Sequence, residues 1–157
     1  YVFGSECETE FTITNERGEK FYLAMEEDDE EEMISVSRQI KRNMVEQLFD
    51  LDAFAMIFEE KEYPIELTRQ LEPPPVEGWT SPNYHQEVDE LKGKYIKGDH
   101  RDGNCTYKPG EGLDYYMLLS SDEKFMVEVE VYDGGETDVS LALRLPITVI
   151  EELWPGS

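Results

Sequence analysis

Phe125-Met126-Val127-Glu128-Val129-Glu130-Val131-Tyr132 is the stretch on which the fold turns. Phe125, Val127, Val129 and Val131 recur at every second position with Glu128 and Glu130 between them. That is the two-residue period of a strand with one buried and one wet face. Its neighbours repeat the pattern. Asp133-Gly134-Gly135-Glu136 turns into a strand over Asp138 to Leu145, with Val139, Leu141, Leu143 and Leu145 inward and Asp138, Ser140 and Arg144 outward. Upstream, Leu113 to Leu119 reads as a third strand, joined through Ser120-Ser121-Asp122-Glu123.

The N-terminal part shows the same period once more. Phe11 and Ile13, then Phe21, Leu23 and Met25, flank the turn Asn15-Glu16-Arg17-Gly18-Glu19, which makes a hairpin. Seven consecutive acids, Glu26 to Glu32, follow, and then Met33, Val36, Ile40, Met44 and Leu48 at steps of three and four. This spacing predicts an amphipathic helix over about 29–50, capped by Asp28 or Asp29, with the acids against its positive end. The apolar run Ala53 to Phe58 reads as a buried strand, although periodicity leaves a helical hairpin open for so short a run, and Tyr63 to Leu67 as a second extended segment. Pro73-Pro74-Pro75, with Gly78 and Pro82, marks 73–82 as an extended connector between an N-terminal ββαβ half and a C-terminal antiparallel half of one domain, 1–157. Short helices are expected near 84–92, ending at Gly93, and near 146–153. The fold class that follows is α+β: an antiparallel sheet with one long amphipathic helix (about 29–50) packed across it.

A chain of 157 residues and 18.3 kDa supports one core and not two. Its 37 acids against 14 bases give a net charge of −23 and a pI near 4.2. A surface of that sign does not capture a nucleic-acid backbone directly. No apolar run reaches the roughly 18 to 20 residues of a membrane span, so none is expected. The charge is concentrated at the ends. Residues 1–35 carry 12 acids and 2 bases, residues 111–157 carry 11 and 2, and the middle is close to neutral. Such blocks imply acidic faces rather than uniform solubilisation. The chain opens on Tyr1 rather than methionine, so residues are expected to have been removed ahead of it, and with them any targeting signal there was. Cys7 and Cys105 are too few for a disulfide scaffold and fit a cytosol or organelle matrix somewhat better than secretion, with the compartment open.

Catalytic and metal motifs are weak. Asp99-His100-Arg101-Asp102-Gly103-Asn104-Cys105 gathers ligand types, but its spacing matches no zinc or calcium pattern, and turn chemistry accounts for the letters. No metal or other cofactor is expected. Cys7 stands among Glu6, Glu8 and Glu10, which suppress its thiolate. No glycine-rich phosphate loop is present.

The remaining signal is the acidic sheet. Glu128 and Glu130 stand about 6.5 to 7 Å apart along one strand face, close to the spacing of phosphates along a nucleic-acid strand. Asp138 and Asp114 on flanking strands extend the patch, and Tyr22, Tyr116 and Tyr132, placed outward by alternation, supply aromatic anchors. The expected function is a non-enzymatic binding protein that occludes a basic surface on a partner protein, of inhibitor, immunity-protein or nucleic-acid-mimic type, with nucleic-acid-binding proteins among the candidate partners. An alternative is an acidic chaperone or assembly factor that grips a partner segment in an apolar groove of the near-neutral middle. A third is a small enzyme using His85 or His100, the two side chains with ordinary pKa values near neutrality.

Overall fold

The structure is a computed structural model that describes residues 1–3, 6–7, 9–27, 32–70, 78–96, 110–146 and 148. Within them the chain runs β1 (Val2–Phe3), β2 (Glu6–Cys7), β3 (Glu10–Thr14), β4 (Lys20–Glu27), β5 (Glu32–Ile40), α1 (Arg42–Leu48), α2 (Leu51–Ala55), a 3-10 turn (Met56–Phe58), β6 (Glu66–Thr68), β7 (Asn83–Tyr95), β8 (Glu111–Leu119), β9 (Phe125–Tyr132) and β10 (Thr137–Pro146). All the strands join one antiparallel sheet of order β2-β1-β7-β8-β9-β10-β5-β4-β3, with β6 on β7. Eight of them are three residues or longer.

The hairpin β3–β4 and the meander β8–β9–β10 form where the alternation places them, with Ile13 opposite Phe21 and Val129 between Tyr116 and Val139. The long helix over 29–50 does not form. Residues 32–40 are β5, a central strand bonded to β4 on one side and β10 on the other, and only Arg42–Leu48 is helical. Ser35 and Ser37 are buried on one face while Ile34 and Val36 fill the other. Serines of low helix propensity alternating with β-branched residues suit a strand buried on both sides. Residues 28–31, with the expected caps Asp28 and Asp29, lie outside the described residues.

The expected short helix over 84–92 is instead part of β7, the longest strand. Its register slips between Gln86 and Val88 and again between Val88 and Leu91, and Glu90 takes a positive φ of 47°. These bulges place Tyr84, Val88 and Leu91 at steps of four and three along a strand, which imitates a helix in sequence. The expected strand over Ala53–Phe58 is helical. Asp50 caps α2 by accepting from the Asp52 and Ala53 amides at 2.9 and 3.0 Å, and Phe54 and Ile57 turn inward while Ala55, Met56 and Phe58 face solvent. Pro146 ends β10, and of the helix expected over 146–153 only Pro146 and Thr148 lie within the described residues. Residues 71–77, including the triple proline, also lie outside them.

The helical segment covers one sheet face, and Val45, Leu48, Phe49, Phe54 and Ile57 close a core with Tyr116, Leu118, Val127, Val129, Val139 and Leu141. The other face is concave. Tyr1 donates its hydroxyl to Glu130 on β9, three strands away from β1. Three strand spacings span about 14 Å in a flat sheet, so the sheet must curl to bring these side chains together. Only two residues separate β2 from β3, so the stretch from Glu6 to Thr14 is bonded to β1 at its start and to β4 at its end. The two ends of the sheet thereby approach each other.

Candidate functional site: a tyrosine–carboxylate concave face

Strand parity sorts the candidate residues. Tyr22, Glu128, Glu130, Tyr132 and Asp138 share the concave face, on β4, β9 and β10. Asp114 and Tyr116 do not. They sit on the opposite face, where Asp114 accepts from Lys92 Nζ at 2.7 Å and Tyr116 packs edge-on against Phe58 with 6% of its surface exposed. Strand β8 misleads because both of its faces carry apolar side chains, Leu113, Met117 and Leu119 on one and Tyr116 and Leu118 on the other. Alternation there has no polar phase to read. Tyr132 was expected as an exposed anchor and is buried, although it lies on the expected face.

The concave carboxylates are held by neutral donors. Tyr115 donates to Glu128 at 2.8 Å, Tyr132 and Tyr1 donate to the same oxygen of Glu130 at 2.6 and 3.0 Å, and the Gln39 amide reaches Asp138 at 3.4 Å. Burial raises the pKa of the Glu130 carboxyl, the hydroxyls of Tyr132 and Tyr1 pull it back, and Asp138, its cross-strand partner, pushes it up again. Asp138 is raised by burial and by Glu136. The tyrosines respond in kind. Burial, then the Glu130 charge, lifts the Tyr1 phenol far above its ordinary range, and burial and the bond to Glu130 do the same to Tyr132. Tyr22 is raised by burial and then by Glu10 and Asp138. It also feels Tyr95 of β7, five strands away along the sheet, which is a second sign of the curl.

Sequence reasoning missed Tyr1, Phe3, Tyr95 and Tyr115, which stack and tilt against one another at ring distances of 5.2 to 6.4 Å and wall this face. No local signal marks them, because their convergence depends on the curl of the whole sheet.

The other candidates stay apart. His85 lies near the start of β7 opposite Leu119, at the other end of that strand from Tyr95, and its Nε2 is bonded to Glu87 at 2.5 Å; His100 and the 99–105 run lie outside the described residues. Among the described residues no group of three or more His, Cys, Asp or Glu side chains is arranged to hold a metal ion. No helix of the described residues is long and apolar enough to cross a membrane. No family model, curated protein or solved structure matches this chain.

Proposed function

We propose that the protein is a non-enzymatic binding protein that receives basic side chains of a partner protein on its concave face. The observation that carries this is the gathering of Glu128, Glu130 and Asp138 with Tyr22 and Tyr132 on one curved surface, their charge offset by hydroxyls and an amide. A lysine or arginine entering there meets Glu130 and Asp138, whose protonation burial favours, so it gains by neutralising them, and it meets aromatic faces that attract cations. The net charge of −23 steers such a partner in.

The test is titration with a fluorescein-labelled lysine-rich peptide at about 50 and about 300 mM salt. Wild-type binding weakens with salt. The double variant Glu128→Gln/Asp138→Asn, which keeps side-chain shape, binds about tenfold more weakly at low salt. Equal affinity and equal salt dependence in the variant would remove this face from the function.

A further inference from the structure

The convex side carries a second site of different chemistry. Between α1, α2 and the start of β10 lies a cavity of about 470 Å3, open to solvent, walled by Ile40, Val45, Leu51, Phe54, Phe58 and Val139, with Arg42 also in its lining. Its volume falls within the roughly 300 to 1,000 Å3 of ligand-sized clefts. The apolar wall continues onto the surface, since Leu51, Met56 and Phe58 are 38, 39 and 40% exposed. Acids surround it. Residues 42–62 hold six acids and two bases, and Asp133 and Glu136 are exposed beside the wall residues of the β9–β10 turn. Both bases are engaged: Arg42 pairs with Glu46 at 3.3 Å, and Lys61 donates to the Ile57 and Glu59 carbonyls and to Asp89.

We infer that this groove seats the apolar face of an amphipathic helix from another protein, with lysines or arginines along the flanks of that helix. Leucine-sized side chains at helical spacing fill an apolar trough, and the acids of 42–62 and of the β9–β10 turn take the flanking cations. A free fatty acid would find in the lining a single cation, Arg42, already paired with Glu46. A second copy of the chain would bring another −23 against the first. The inference is independent of the concave face, which lies on the other side of the sheet.

The test uses a fluorescein-labelled leucine–lysine peptide of about 14 residues, roughly four helical turns, with leucines at helical spacing. A peptide of the same composition with scrambled leucines is its control. Anisotropy shows the helical peptide binding at least about tenfold more tightly than the scrambled one. Leu51→Gln/Ala55→Gln abolishes that preference; both positions are exposed on α2 and glutamine is a good helix former, so the fold persists and circular dichroism checks it. Glu128→Gln/Asp138→Asn leaves the preference intact, which separates this site from the concave one. Equal binding of the two peptides, or full preference in Leu51→Gln/Ala55→Gln, overturns the inference. So does displacement of the peptide by equimolar decanoate, which reassigns the groove to a small apolar ligand. A dimer in sedimentation that Leu51→Gln/Ala55→Gln dissolves reassigns it to a second copy.

Discussion

Replacing Tyr132 by phenylalanine isolates the electrostatics of the concave face. Phenylalanine keeps a ring that is 9% exposed and deletes only the hydroxyl that donates to Glu130 at 2.6 Å. A hydrogen bond to a charged group contributes about 1.5 to 3 kcal/mol. Because the Tyr1 hydroxyl still donates to the same carboxylate oxygen at 3.0 Å, the loss falls at the lower end, about 1.5 to 2 kcal/mol at neutral pH. Urea unfolding reads this as a midpoint lowered by about 1 M for an m-value of about 1.5 to 2 kcal/mol/M. The sign with pH is also set. In the folded protein Glu130 has a pKa raised above its ordinary 4.5, and the bond from Tyr132 lowers it. The folded state therefore holds the Glu130 proton more tightly than the unfolded state, and this group stabilises the fold as pH falls through its raised pKa. Tyr132→Phe raises that pKa further. Its cost is thus full above the folded pKa, where the carboxylate is charged, and shrinks as pH falls and the carboxyl becomes neutral. Equal stability of variant and wild type at neutral pH, or an equal loss at neutral and acid pH, would refute the claim that Tyr132 holds a charged Glu130.

Two further expectations test the helical segment. Ile57→Ala empties a fully buried position beneath the 3-10 turn and should cost about 3 to 4 kcal/mol in urea unfolding; a loss under about 1 kcal/mol would mean the segment does not close the core. Asp50→Ala removes the acceptor of the Asp52 and Ala53 amides and should cost about 1 kcal/mol. Unchanged stability there would deny the cap.

Legibility followed the polarity of each strand's second face. Strand β10 sets Asp138, Ser140 and Arg144 against Val139 and Leu141, so period and phase are both visible, and the same holds for the hairpin from Phe11 to Met25. In β5 the buried Ser35 and Ser37 leave Met33, Val36 and Ile40 as the conspicuous residues, and their spacing counterfeits a helix. In β7 two bulges shift the phase within one strand. The concave site was legible for Glu128, Glu130 and Asp138 because they lie on strongly alternating strands. Tyr115 differs from Tyr116 by a single step in a strand without a polar phase, and Tyr1 meets Glu130 across 129 positions of sequence. Pairing at that distance leaves no trace in a local window.

The placement of β10 has a consequence for how the chain assembles. Antiparallel pairing joins β3, β4 and β5 into one local sub-sheet and β7, β8 and β9 into another, and among the described residues β10 is the strand that hydrogen-bonds to both, through β9 and β5. Its contacts with β5 join positions about a hundred residues apart, such as Ser35 with Arg144 and Ile40 with Val139. Until the ribosome has delivered residues 137–146, β5 and β9 each present a naked strand edge rich in branched side chains, the kind of template that recruits stray strands. Loop closure of that span makes the seam slow to zip. A truncation that removes β10 alone would leave two sticky half-sheets in place of one slightly smaller protein.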